Sequence, residues 1–322
     1  MLPKVVHIAI LPAMRTCAFL ALGFLTLAPA AHAAGFDCAK ASTAIEKAIC
    51  ADPDLSKADD RLTETFAATL ATTLQPEELR REQAIWLQQR DRIAGKAELR
   101  DAYGRRIAHL AALKAKWLAV RRGVDPESAR QSCVVPPSAP SDTKCSVEKF
   151  AAIPGASDLV YQLQTYKQDD LRRAGGAVVF RKTAAELAPV VAVADDAAYY
   201  EQPTVVRSAA GDLLLVPGAL DGTGHINASV LFRLEADRLT EIDTRTWLYD
   251  LQRRLPQGLG AWKGIFPDYR TFTARTPLWK GGDANCCPTA GRADIKLKLT
   301  ADRLVIEDVA VVRGAKAAES PD

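Results

Sequence analysis

The sequence is poor in histidine, which limits the chemistry it can support. Of four histidines in 322 residues, only His109 and His225 lie beyond the N-terminal leader described below. His109 falls between apolar positions of a helical pattern and is expected to face solvent. A Gly-x-Ser-x-Gly elbow and a twelve-residue calcium-binding loop are also absent. These absences disfavour a hydrolase and predict a protein that is not an enzyme and uses no metal and no cofactor.

The sequence also lacks a charge imbalance that would mark a polyanionic partner. Residues 35–120 contain 14 Lys and Arg against 13 Asp and Glu, and residues 130–322 contain 24 against 24. A protein that binds nucleic acid or an anionic membrane normally carries a basic patch or stripe. Nucleic acid is therefore excluded as the expected partner.

No segment of the sequence is apolar for long enough to cross a membrane, and the apolar run near the N-terminus has the pattern of an export signal. Lys4 and Arg15 precede an apolar stretch over 16–28, and Ala31-His32-Ala33 is a small-x-small cleavage site. The stretch is too short to cross about 30 Å of hydrocarbon, and the residues before Cys17 do not form a lipobox. We therefore predict a signal peptide over 1–33, cleavage after Ala33, a periplasmic or secreted protein, and no membrane span after cleavage.

Cysteines beyond the leader are even in number, as expected of an oxidising compartment. There are six of them, which allow 15 pairings, and secreted cysteines at such spacings are more often oxidised than bound to zinc. They are Cys38, Cys50, Cys133, Cys145, Cys286 and Cys287.

Helical periodicity dominates residues 34–122. Thr43 and Glu46 form a capping box for a short helix that ends near Cys50. A second helix follows Pro53, a third begins at Pro76, and a fourth stops at Gly123; each has apolar residues at three- and four-residue steps. These helices predict a small antiparallel helical domain.

Residues 123–157 are rich in Pro and Ser and contain Cys133 and Cys145, which predicts a linker held by a disulfide. Residues 158–313 contain short aliphatic runs separated by Gly, Asp and Asn, with one helix from Thr246 to about Leu255. The related segments 234–239 and 299–304, together with Ala210-Gly211-Asp212, predict similar hairpin tips. The fold class is therefore α+β, a small antiparallel helical domain followed by a mainly antiparallel β domain, with a disordered tail over 314–322.

Spaced residues between 36 and 110 resemble the lysozyme-inhibitor LprI-like N-terminal domain family. The resemblance implies a location in the bacterial envelope and inhibition of lysozyme. It is carried by Phe36-Asp37-Cys38, Ala41, Glu46, Ile49-Cys50, Asp52-Pro53, Leu55, Asp59, Leu62, Gln83, Trp86-Leu87, Arg90-Asp91, Leu99, Tyr103 and Arg106-Ile107.

The resemblance also implies one disulfide. Family members usually carry a second cysteine pair where this chain has Ile93 and Glu98, and the joint loss of that pair implies that Cys38 bonds Cys50. Two kinds of pairing remain for the other four cysteines. A bond between the adjacent Cys286 and Cys287 requires a strained ring, whereas crossed bonds to Cys133 and Cys145 close long loops and stabilise by about 5 kcal/mol in the chain-entropy account. We therefore predict the crossed bonds.

Trp86, Arg90 and Asp91 are the candidate partner-binding residues of the helical domain. Arg90 either projects into the acidic cleft of a c-type lysozyme, whose catalytic groups are carboxylates, or pairs with a neighbouring helix. Trp86 either contacts the partner or packs in the core. An excess of acids over bases in 37–64, seven against four, would attract a cationic lysozyme to the first two helices.

Asp221 and His225 lie in a glycine-rich turn and are the candidate ligand-binding residues of the β domain. The function that we predict is that of an exported periplasmic binding protein that inhibits lysozyme through its helical domain. The alternative is an envelope ligand- or glycan-binding protein that acts through the β-rich domain without lysozyme inhibition. The expected partner is accordingly a c-type lysozyme or a component of the cell envelope.

Overall fold

A computed structural model describes residues 35–141, 143–167 and 173–313 of the chain. The predicted signal peptide and the predicted disordered tail lie outside these residues. Within them, no helix is both long enough and apolar enough to span a membrane.

The N-terminal helices form where local signals in the sequence place them. A 3-10 turn at Cys38–Lys40 precedes α1 (Ala44–Cys50), α2 (Pro53–Leu70), α3 (Pro76–Arg90) and α4 (Lys96–Val120). Both hydrogen bonds of the Thr43–Glu46 capping box are present. Asp52 accepts hydrogen bonds from the first turn of α2, and proline opens both α2 and α3.

These four helices enclose their own apolar core, so that they form a helical module. The Cys38–Cys50 disulfide, with a Cα–Cα distance of 5.8 Å, joins the 3-10 turn to the end of α1 and confirms the pairing implied by the resemblance. The core of the helical module consists of the buried residues Ile49, Leu55, Leu62, Leu79, Leu99, Tyr103 and Leu110.

The segment predicted as a linker contains regular structure. It forms α5 (Pro126–Gln131) and β1 (Lys144–Ile153), and β1 pairs with the next strand along almost its whole length. The prolines and serines cluster between α5 and β1, where the chain turns. This segment supplies one strand of the first sheet.

The described residues contain fifteen strands, whose pairings within the sheets are antiparallel, and this confirms the predicted fold class. The first sheet has the order β1-β2-β3-β4, with β2 (Ala156–Lys167), β3 (Arg173–Lys182) and β4 (Leu187–Asp195). The second sheet has the order β10-β9-β7-β6. Its strands are β6 (Thr204–Ser208), β7 (Gly211–Val216), β9 (Val230–Leu234) and β10 (Leu239–Ile242).

The third sheet has the order β12-β14-β15, and two short pairs complete the domain. Leu234 pairs with Leu239 and Leu299 with Leu304 across hairpin tips, which confirms the predicted likeness of those two segments. The predicted helix is present as α6 (Thr246–Arg254). The remaining strands are β5 (Ala198–Tyr200), β8 (Gly218–Leu220), β11 (Leu259–Gly260), β12 (Thr273–Pro277), β13 (Trp279–Lys280), β14 (Arg292–Leu299) and β15 (Leu304–Val312).

The three sheets are stacked in layers, and alternation along the strands explains why. In β3, Ala177 and Val179 face the second sheet, whereas Val178 and Phe180 face the helices. In β7, Leu213 faces α6 and the third sheet, whereas Leu214 faces the first sheet. Strands that are apolar on both faces must be covered on both sides. The order of layers is therefore helices, first sheet, second sheet, then α6 with the third sheet.

The layer order explains why the crossed disulfides were predicted wrongly. Cys133 follows α5 and Cys145 lies on β1, so both belong to the first sheet, and they bond each other with a Cα–Cα distance of 6.2 Å. Cys286 and Cys287 lie between β13 and β14, beyond the second sheet, and are bonded to each other. A disulfide needs Cα atoms within about 7 Å, which an intervening sheet prevents.

Candidate functional site

Trp86, the first predicted partner-binding residue, packs mainly within the helical module. Its ring meets that of Tyr103 edge to face at a centroid distance of 5.3 Å. It is half-buried against the core of the helical module. Trp86 thus packs against the core of the helical module, in the edge-to-face geometry that aromatic pairs prefer.

Arg90, the second predicted partner-binding residue, is buried, and its guanidinium makes hydrogen bonds within the helical module. It donates to the Asp91 carboxylate through Nε at 2.9 Å and Nη2 at 2.7 Å. Nη1 lies 3.3 Å from the Tyr103 hydroxyl and 3.6 Å from Asp59 Oδ1. The Tyr103 hydroxyl donates to Asp59 at 2.5 Å. Arg90 therefore pairs with neighbouring helices and does not project outward.

The same network keeps the Tyr103 hydroxyl protonated. Burial, strengthened by the hydrogen bond to Asp59, raises the pKa of Tyr103 well above its usual value. Tyr103 therefore stays a proton donor to Asp59 at any physiological pH. Asp91, the third predicted residue, remains exposed and ties Arg90 to the end of α3.

The acidic excess predicted for the first two helices is largely neutralised by cations from farther along the chain. Asp52 pairs with Arg100 at 2.8 Å and with Lys96 at 3.6 Å, and Asp59 faces Arg90. Adding these three cations to the four within 37–64 gives seven charges of each sign. Part of the acidic excess proposed for steering a cationic partner is therefore already paired within the helical module.

An exposed face of α3 is left for contact with a partner. Ile85, 55% exposed, is the most exposed large apolar residue of the helical module. Gln88, Gln89 and Arg92 follow it at helical steps of three, four and seven residues, and all are exposed. We call these four residues the α3 face. Arg90 points inward, whereas Arg92, in the turn that follows α3, is exposed and adds a cation to the α3 face.

In the β domain, His225 contacts aromatic rings from two other segments. The Tyr199 hydroxyl lies 3.4 Å from His225 Nδ1, and the ring centroids of His225 and Phe266 are 5.2 Å apart. The contact made by Asp221 is through its backbone N–H, which donates a hydrogen bond to Ala197 O at 2.7 Å. Sequence reasoning selected His225 but missed Tyr199 and Phe266. Neither residue belongs to a periodic pattern in the sequence.

A cavity of about 390 Å³ lies between α3 and the second sheet. At its edge, the Glu77 backbone N–H donates to Glu241 Oε2 at 3.1 Å. Arg245 Nη1 lies 3.5 Å from Glu78 Oε2. Burial raises the pKa of Glu241 to about 7. The hydrogen bond from the Glu77 N–H lowers this pKa, and the negative charge of the Glu77 side chain raises it.

Replacing Glu241 with Gln should remove a pH dependence of stability. The folded chain binds the Glu241 proton more tightly than the unfolded chain, whose pKa is near 4.5. Its stabilising contribution is therefore complete below about pH 4.5 and is lost as the pH rises through about 7. The slope from one such group is at most about 1.4 kcal/mol per pH unit.

Urea unfolding between pH 4 and 8 measures this slope. In the Glu241→Gln variant the amide oxygen still accepts the Glu77 hydrogen bond. The other ionisable groups nearby are unchanged, so the difference between the two pH profiles reports the Glu241 charge alone. These groups are Glu77, Glu78, Arg81, Asp243 and Arg245. Parallel profiles for the two proteins would contradict the assignment.

Among the residues that the structure describes, no group of three or more His, Cys, Asp or Glu side chains is placed to hold a metal ion.

The chain thus contains a disulfide-closed helical module with an internal Asp59–Tyr103–Arg90 network, joined to a layered β domain. Residues 38–116 match the family described as Lysozyme inhibitor LprI. The match covers the helical module alone, and no curated protein matches the chain.

Proposed function

We propose that the mature chain is an exported envelope protein that binds and inhibits a c-type lysozyme through its helical module. The match of residues 38–116 to a lysozyme-inhibitor family carries this proposal. Three disulfides among the described residues support function in an oxidising compartment. The shortage of histidine supports a binding role over an enzymatic one.

The α3 face is the part of the helical module that we assign to the lysozyme. Trp86, Arg90 and Asp59 are engaged with one another or with the core, so a partner must be met by residues that point outward. Ile85 offers an exposed apolar side chain that gains free energy when a partner removes it from water. Arg92 offers a cation for the catalytic carboxylates of a lysozyme cleft.

The central experiment is clearing of a bacterial cell-wall suspension by c-type lysozyme. A molar excess of the purified chain from residue 34 onward should slow clearing in proportion to its concentration. An undiminished rate at saturating excess would show that the proposed function is wrong.

Replacing Ile85 with Asp should weaken inhibition by about tenfold, because a charge at the centre of an apolar contact must be desolvated without a partner. The half-inhibitory concentration in the clearing assay measures the effect. Leu118→Asp is the matched control, since Leu118 is 49% exposed on another helix and should leave inhibition unchanged. Equal loss in both variants would place the contact away from the α3 face.

A further inference from the structure

Exposed apolar side chains gather at one place on the β domain. Nine large apolar residues are exposed among the described residues, and two of them, Tyr199 and Phe266, have rings beside that of His225. Scattered exposed residues are ordinary, whereas a local cluster marks a binding surface. Tyr199, His225 and Phe266 form its centre, with successive ring centroids 6.1 Å and 5.2 Å apart. We call these three rings the aromatic ridge.

Backbone hydrogen bonds hold the aromatic ridge in place. Gly264 N donates to Gly224 O at 2.9 Å, so that the segment carrying Phe266 runs against the turn carrying His225. The Asn227 side chain donates to Ile265 O at 2.9 Å. A Cβ on Gly264 would lie 2.0 Å from His225 O, so only glycine permits this approach. Rings fixed in this way lose little freedom when a ligand binds.

A cleft adjoins each end of the aromatic ridge. Tyr199 lines a cleft of about 560 Å³ together with Ser146, Glu148, Gln164 and Thr165. Phe266 lines a second cleft of about 500 Å³ together with Asp268, Thr273 and Lys296. The ridge therefore separates two recesses whose walls carry both hydrogen-bond donors and acceptors.

We propose that the aromatic ridge and its two clefts bind a linear oligosaccharide. The apolar face of a sugar ring stacks on an aromatic ring, while its hydroxyl groups donate and accept hydrogen bonds at the edge. The ridge supplies the rings and the clefts supply polar partners on both sides. Such a site needs a chain of several sugars, because neither cleft contains the whole of the ridge.

The charges in the clefts favour a sugar chain over a nucleic acid, the other ligand that stacks on exposed aromatic rings. In the second cleft, Arg275 Nε lies 2.6 Å from Asp294 Oδ1, so that this cation is already paired. Asp268 and Asp308 add negative charge to the same cleft. Neutralising phosphates requires an excess of Lys and Arg, which the second cleft does not have.

Isothermal titration of the mature chain with chitohexaose and cellohexaose tests this proposal. At least one should bind, and its affinity should rise from the disaccharide to the hexasaccharide. Phe266→Ala and Tyr199→Ala should each weaken binding by about tenfold or more. Tyr249→Ala is the matched control, because Tyr249 is 68% exposed on α6 and should leave affinity unchanged.

Several outcomes would overturn the proposal. Absence of binding by both hexasaccharides would do so, as would an equal affinity for a disaccharide and a hexasaccharide. Tighter binding of oligodeoxythymidine than of either sugar would assign the ridge to nucleic acid. Circular dichroism of each variant separates loss of the site from loss of the fold. Because the ridge and the α3 face lie on different domains, this result does not depend on the lysozyme assay.

Discussion

Replacing Arg90 with Ala should lower the free energy of unfolding by about 3–5 kcal/mol, because it leaves the buried Asp59 carboxylate without its cation. Asp59 and Arg90 have side chains only 7% and 9% exposed, so water does not replace the lost charge. Urea denaturation followed by circular dichroism at 222 nm measures the change.

Two further variants make the result specific to Arg90. Arg92→Ala removes an exposed cation two residues away and should cost less than about 0.5 kcal/mol. The double variant Asp59→Asn with Arg90→Met removes both charges and should be more stable than Arg90→Ala alone, since no buried charge is left unpaired. A loss below about 1 kcal/mol for Arg90→Ala would contradict the burial of this pair.

Replacing Trp117 with Ala should lower the free energy of unfolding by about 3–5 kcal/mol, the usual cost of truncating a large buried aromatic. Trp117 is 2% exposed. It packs with Val120 on α4 against Val178 and Phe180 of the first sheet. The variant removes the side chain that joins the end of the helical module to the β domain.

Urea denaturation again provides the measurement, with Leu118→Ala as the neighbouring exposed control. The Leu118→Ala substitution should change the free energy of unfolding little, because about half of the Leu118 side chain is already exposed to solvent. Similar losses for the two variants would show that α4 does not pack on the sheet through Trp117.

The helices were predictable because their signals are local. The Thr43–Glu46 capping box and the prolines at 53 and 76 each act within one helical turn. The strand β4 is harder to predict, because Pro189 interrupts its aliphatic pattern. In the structure, Pro189 lies on an edge strand where the register with β3 shifts, a position that tolerates proline.

The disulfides show where sequence reasoning lacks information. Loop-closure entropy concerns the unfolded chain, whereas the bonding partners are decided by which cysteines meet in the folded chain. Cys133 and Cys145 meet because α5 packs beside β1, and no spacing rule contains that contact.

The candidate sites were predictable only in part for a similar reason. The inward direction of Arg90 depends on Asp59, which lies 31 residues earlier on another helix. The glycine-rich turn drew attention to His225, but Tyr199 and Phe266 reach it from separate segments. Exposed aromatic residues carry no periodic signal, so their convergence appears only after folding.

The end of the family match does not coincide with the end of a packed unit. The matched segment ends at residue 116, yet the last turn of α4 and the outer face of β3 bury each other around Trp117 and Phe180. Opening either one exposes the apolar surface of the other to water, so we expect the two to open together. We therefore expect the helical module to behave as the outermost layer of the β domain and not as a separate domain on a flexible linker.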